Sequence, residues 1–186
     1  MLIFIKMKRE LIQEIEIPKN VEITIDGNRI IAKNNEGEIS RNFNIGKIKL
    51  EKRDSKIIIG HKAATKNEKK IINTITAHIN NMIKGINKKF EYKLKVCFSH
   101  FPITVEVKGK EALIKNFLGE KVARKVNIPN NVEVKVDRDT IKISSIDKEL
   151  AGQAAANFET ATKIAKRDRR IFQDGIYIVN KDGKEI

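Results

Sequence analysis

The sequence predicts an α+β chain made by tandem duplication, with two modules that are each an antiparallel sheet with one helix packed on it. Three observations carry this. Two stretches open alike, IPKNVEITIDGNRIIAKN from Ile17 and FPITVEVKGKEALIKN from Phe101. Two more, LEKRDSKIII from Leu50 and VKVDRDTIKI from Val134, share a strand, charged turn, strand pattern. A helical stretch closes each set. The offset stays near 84 residues through all three blocks, in one order, which points to a repeat.

The strands follow from alternation. Val21, Ile23 and Ile25 share one face, as do Val132, Val134 and Val136, and also Ile141 and Ile143. The turns fall at Asp26-Gly27-Asn28, Asn34-Asn35 and Lys108-Gly109-Lys110, whose residues tolerate tight or left-handed backbone. The helices show the longer period. Ile71, Ile75, Ile79, Met82 and Ile86 form one stripe, and Leu150, Ala154, Phe158, Ala161 and Ala165 form the other. The modules divide after the first helix, giving residues 1–86 and 87–186. Between them KFEYKLKVCF, from Lys89, reads as a strand leading into the second module. It carries Lys93, Lys95 and Cys97 on one face and Leu94, Val96 and Phe98 on the other. Residues 182–186 read as a polar tail.

The chain has 186 residues, 40% of them hydrophobic and 33% charged, enough for two modest cores. No apolar run approaches the roughly 20 residues that a membrane span needs. The opening MLIFIKMKRE lacks a small-residue cleavage site and does not read as a signal peptide, and Met7 is an alternative start. A single cysteine, Cys97, excludes an internal disulfide and suits the cytoplasm. His61, His78 and His100 are too scattered to bind zinc with one cysteine, and no metal or cofactor is expected.

Catalytic patterns are weak. No phosphate-cradling glycine run is present. Cys97 and His100 lie three residues apart, so on one strand they would point to opposite faces. The acidic pairs Glu36/Glu38 and Asp137/Asp139 have basic neighbours and read as solvated charges. The expectation is a protein that is not an enzyme.

Charge says more. Thirty-eight basic residues face 24 acidic ones, for a net charge of +14. Lysine enrichment from a biased genome would bring glutamate with it, so the excess favours a polyanionic partner. The densest run is KIAKRDRR, where Lys163, Lys166, Arg167, Arg169 and Arg170 accompany one Asp168. Three of these cations are arginines, whose planar forks suit phosphate. The alternative is a solvated continuation of the second helix that complements its dipole. In that helix Ala151, Gly152, Ala155 and Ala156 lie off the stripe, with Gln153 among them. Such a surface admits either close RNA approach, with Lys148 and Gln153 reaching phosphate or ribose, or tight packing on the neighbouring module. Aromatics make up only 5%, which favours shape and phosphate contact over base stacking.

These residues also carry a resemblance. KRDRRIFQDGIYIVNK, from Lys166, resembles the C-terminal signature of the archaeal and eukaryotic branch of the large ribosomal subunit protein six family. IDKELAGQAAAN from Ile146, YKLKVCFSHFPITV from Tyr92, FLGEK from Phe117 and KRELIQEIEIP from Lys8 are similar to further family segments. Thr160 departs from the family pattern, which has glutamine there. The resemblance implies two copies of one α+β fold and no catalytic activity. It implies binding to large-subunit ribosomal RNA near the sarcin–ricin loop, beside the place where translation factors dock, mostly through the second module. Implied partners are that RNA, neighbouring large-subunit proteins and the factors, for a protein that is monomeric within the ribosome and meets no membrane. By segment match Lys148, Gly152, Gln153, Lys163, Arg167, Arg169 and Arg170 are candidate contacts. Lys93, Lys95, Lys166 and Lys181 join them. Ser99 and His100 are further candidates, and His100 reads equally as a packed turn residue. The competing reading is a tandem-repeat DNA-binding factor resembling the TATA-binding protein, which kinks DNA with paired phenylalanines. No exposed phenylalanine pair is evident in the central strands.

Overall fold

The computed structural model describes residues 9–34, 37–168 and 170–186. Met7, Lys8, Asn35, Glu36 and Arg169 therefore lie outside the described residues. The chain divides into two compact units, residues 1–88 and 89–186. The division follows α1, which runs to Asn87 because Ile86 is still part of its buried face.

The first unit runs β1 (Arg9–Glu16), β2 (Glu22–Asp26), β3 (Arg29–Asn34), β4 (Gly37–Asn42), β5 (Lys49–Arg53), β6 (Lys56–Ala64) and α1 (Lys66–Asn87). The second runs β7 (Phe90–Cys97), β8 (Thr104–Lys108), β9 (Glu111–Lys115), β10 (Arg124–Asn127), β11 (Val132–Asp137), β12 (Thr140–Ser145) and α2 (Lys148–Ala161). It then adds β13 (Gly175–Lys181) and β14 (Lys184–Glu185).

Each unit has two antiparallel sheets, not the single sheet expected. In the first, β1-β6-β5 and β2-β3-β4 are separate, and α1 packs on strands of both. In the second, β10-β9-β8 repeats the small sheet and β11-β12-β7 repeats the other. Here β13 and β14 extend the sheet beyond β7, making five strands.

The repeat is visible at single residues. The hairpins β5–β6 and β11–β12 each turn on two residues, and the first is left-handed in both, Asp54 at φ 49° and Arg138 at φ 48°. The β2–β3 and β8–β9 turns use Gly27 and Gly109 at φ 55° and 62°.

Helix α1 starts at a reciprocal cap. Thr65 accepts from the Asn67 N–H, and the Glu68 carboxylate accepts from the Thr65 N–H. Its buried face is Ile72, Ile75, Ile79, Met82, Ile83 and Ile86, whereas Ile71 is 38% exposed. Ile72 replaces Ile71 on the stripe because the turn repeats at 3.6 residues, not four.

Helix α2 corrects the expected Gly/Ala surface. Ala151, Ala154, Ala155 and Phe158 are all fully buried. Gly152 is half-buried, and a Cβ there would lie 3.6 Å from the Tyr92 hydroxyl. Ala151, Ala154 and Ala155 thus let α2 pack closely on its own unit's sheets, whereas Gly152 and Ala156 stay partly exposed. The helix stops at Ala161, so Ala165 is no part of the stripe and is exposed. The second core gathers Phe90, Tyr92, Leu94, Ile114, Phe117, Ile141, Ile143 and Phe158 around these alanines.

Candidate nucleic-acid interface

The basic run is a loop, not the helix continuation that the sequence suggested. Thr162 ends α2: its hydroxyl donates back to the Phe158 carbonyl at 3.2 Å and accepts from the Ile176 N–H at 3.0 Å. One turn earlier, Glu159 Oε1 accepts from the Ile178 N–H at 3.0 Å. The end of α2 is thereby tied to the start of β13, and the chain between them is held out as a hoop. Arg124 from β10 donates to the Ala161 carbonyl at 2.7 Å, a cation at the helix C-terminus where the dipole favours it. Its guanidinium lies 4.2 Å from the Phe117 ring centre and pairs with Glu120.

Within the hoop Lys166 takes a left-handed turn, φ 59°, and Lys163, Lys166, Arg167 and Arg170 are all exposed. Asp168 organises the bend. Its carbonyl accepts from the Phe172 N–H at 2.9 Å, and its carboxylate accepts from the Arg170 N–H at 2.9 Å and from the Arg170 guanidinium. These Arg170 bonds hold the Asp168 carboxyl below its ordinary range. The Arg170 side chain remains 91% exposed, so this pair is a weak surface contact that an incoming phosphate can replace.

The hoop is anchored by a residue that the sequence does not single out. Asp174 has a side chain only 1% exposed. Its Oδ1 accepts from the Ser99 N–H (3.2 Å), the Ser99 hydroxyl (3.0 Å) and His100 Nδ1 (3.0 Å), and its Oδ2 accepts from the His100 N–H (3.3 Å). Burial opposes ionisation of this carboxyl. The bonds from His100 and Ser99 outweigh it and leave the carboxyl below the usual range. The His100 ring stacks on Phe172 at 4.8 Å, and the Arg167 guanidinium lies 4.8 Å from the centre of the same ring. Ser99, His100 and Arg167, distant in sequence, thus meet around Phe172 and Asp174. A signal existed in the QDG that precedes β13, since a lone acid beside glycine at a strand start invites the question of what it binds.

Other candidates lie elsewhere in the unit. Lys148 is exposed with its ammonium 5.7 Å from the Phe90 ring centre. Gln153 is exposed and donates to Asn157 at 2.8 Å, and Asn157 donates to the Asn127 carbonyl. Lys93 and Lys95 are exposed on the outer face of the five-stranded sheet, away from α2. Lys181 is exposed at the far end of β13, opposite Lys184. A cleft of about 300 Å³ beside the hoop is lined by Lys163, Phe172, Gln173 and Tyr177, with Thr160 at its edge.

Acid–base chemistry is poorly served here. A nucleophile–histidine–acid relay needs the two partners on different ring nitrogens. In His100 the same Nδ1 meets both Ser99 and Asp174. No group of three or more metal-ligating side chains is found among the described residues. The exposed Phe98 and Phe101 lie in the loop after β7, not paired on a sheet surface as DNA kinking would need. No described helix is long and apolar enough to cross a membrane.

Comparison with known proteins decides the class. The sequence model of the family described as Ribosomal protein L6 matches residues 17–89 and 101–175. This chain belongs to the ribosomal protein L6 family. The two matched segments run from β2 through α1 and from β8 to the start of β13, so the L6 family pattern itself occurs twice. The large ribosomal subunit protein uL6 of Methanococcus vannielii is 42% identical over 172 residues, covering 92% of this chain and 94% of that protein.

Proposed function

We propose that this L6-family protein is a structural constituent of the large ribosomal subunit and acts in translation without catalysing a reaction. It binds large-subunit ribosomal RNA near the sarcin–ricin loop, beside the docking place of translation factors. The second unit makes most of that contact. Neighbouring large-subunit proteins are its other partners, and it is monomeric within the ribosome. It requires no metal or cofactor.

The observation that carries this reading is the cluster in which Asp174 fixes Ser99 and His100 while Phe172 carries Arg167. A buried anchor with an exposed arginine and histidine on a constrained loop is what shape-based recognition of folded RNA requires. Lys163, Lys166 and Arg170 supply further charge along the same loop. Gly152 is half-buried beside the Tyr92 hydroxyl, and with Lys148 and Gln153 it remains a proposed contact on the helix.

The direct test is co-sedimentation of the purified protein with large subunits in high salt, where retention is expected. Replacing Arg167, Arg169 and Arg170 together with alanine should flatten the salt dependence of rRNA binding. The slope should fall by about 0.9 for each phosphate that is no longer neutralised on a regular duplex, and by less on irregular RNA. An unchanged salt slope would remove the hoop from the interface. Preference for an AT-rich DNA duplex over rRNA would sink the ribosomal reading.

A further inference from the structure

The two units carry the same three-strand row with opposite decoration. In the first unit, the register β1-β6-β5 places Glu14, Ile58 and Glu51 side by side on the outer face. In the second, the equivalent register β7-β12-β11 places Lys93, Lys142 and Lys135 there. The fold therefore does not need lysine at these positions. Adjacent strands are about 4.8 Å apart, so three ammonium-bearing stems are spread over about 10 Å. Like charges directly opposite one another destabilise a sheet. All three are exposed. Glu133 is paired with Lys89 at 2.7 Å and also feels the charge of Lys135, so it offsets Lys135 only in part. Glu91 and Asp137 stand one residue row away on either side, so the lysine row is a band and not a uniformly basic face.

The next row adds an aromatic group. Lys95 lies opposite Tyr177 of β13. The Tyr177 ring passes over Gly175, where a Cβ would come within 3.0 Å of it, and its hydroxyl donates to the Gln173 carbonyl at 3.1 Å. The ring is thus fixed in place, yet the residue is 45% exposed. A fixed aromatic surface beside flexible cations suits ribose or base stacking together with phosphate pairing, whereas an acidic polypeptide would use the charges alone.

From this we infer that the outer face of the five-stranded sheet, through Lys93, Lys142, Lys135 and Lys95, is a second RNA-backbone surface, with Tyr177, which also lines the cleft beside the basic hoop, at the margin between the two. The inference rests on the ribosomal RNA reading above and extends it to a distinct segment of the same RNA. Lys142 and Lys135 bind there, although nothing in their sequence context marks them.

The experiment uses the full chain and in vitro transcribed large-subunit rRNA, with salt titrations and hydroxyl-radical footprinting. The triple variant Lys93→Gln, Lys142→Gln, Lys135→Gln should reduce the salt slope by on the order of 2 to 3 and uncover one protected RNA segment. An Arg167→Ala, Arg170→Ala variant should uncover a different one. The single change Lys142→Ile copies the residue of the first unit. It should lower the slope by about one while the melting temperature holds or rises, since a like-charge contact is relieved. Wild-type slope and footprint in both lysine variants would overturn the second surface while leaving the hoop in place. Retained rRNA binding with lost binding to an acidic polypeptide such as polyglutamate would overturn it in favour of a protein partner. Failure of the unmodified chain to bind the rRNA would overturn both readings.

Discussion

At the scale of single residues, Asp174 is the hinge of the candidate interface. One buried carboxylate satisfies the Ser99 N–H and hydroxyl, the His100 N–H and the His100 ring. Asp174→Ala removes hydrogen bonds to a charged acceptor, which are worth about 1.5–3 kcal/mol, and leaves the exposed Ser99 and His100 donors to water. Urea unfolding should show that loss. The same variant should weaken rRNA binding more than Arg170→Ala does, because Asp174 holds two loops and Arg170 only its own turn. Gly60 makes a second residue-scale case. A Cβ there would lie 2.9 Å from the Leu11 carbonyl oxygen of the neighbouring strand β1, which is backbone and cannot swing aside. Gly60→Ala should push β1 from β6 and lower stability by about 1–3 kcal/mol in the same unfolding assay.

Asp174 also marks a limit of reading a sequence. Its partners lie 75 and 74 residues away, and no local pattern links them. Lys163, Arg167 and Arg170 could be picked out because charge is visible in one dimension. The residue that shapes their loop could not, because its role depends on which strands pair. Phe172 escaped for the same reason: alone it reads as one more apolar residue, and only the fold brings His100 and Arg167 to its ring.

At the scale of elements, periodicity served the strands well, since Phe90 to Cys97 alternates buried and exposed almost without fault. It served α2 less well. A helix held against two sheets is buried over a wider arc than one lying on a single sheet, so Ala151 and Ala155 fall inside the core although they flank the predicted stripe. The end of α2 was equally hidden, because Lys163 to Lys166 are acceptable helix formers and the Thr162 hydroxyl that takes the Ile176 N–H acts from outside the helix. The cap of α1 supplies a pH test. Hydrogen bonds from the Thr65 hydroxyl, and then from the Thr65 N–H, lower the Glu68 carboxyl from 4.5 to about 2. A group depressed on folding contributes stability above its unfolded value and loses it as pH falls towards the folded one. Stability should therefore decline between about pH 4.5 and 2, and Glu68→Gln should remove the part of that slope due to this group, as read by thermal melts at stepped pH.

At the scale of the whole molecule, the tandem repeat was legible, down to the equivalence of Asp54 and Arg138. The number of sheets was not, because pairing partners are not encoded in alternation. Each unit has its own buried centre, the first around Ile23, Ile57 and Ile75 and the second around Leu94, Ile141 and Phe158. A fragment spanning residues 89–186 should therefore fold and melt cooperatively by circular dichroism; a non-cooperative melt would show that this core depends on the first unit.

The strand β13 covers the flank of β7, whereas β1, among the described residues, is the last strand of its sheet. The outer edge of β1 thus has no strand partner among the described residues, and an unpaired strand edge is a liability in any crowded solution. Glu10, Glu14 and Glu16 are exposed along that strand. In a chain of net charge +14, such a line of carboxylates would attract basic molecules but repel the same line on a second copy approaching edge to edge. With Glu14 paired to Lys56, Glu10 and Glu16 are the carboxylates of that edge that would oppose its pairing with a second copy.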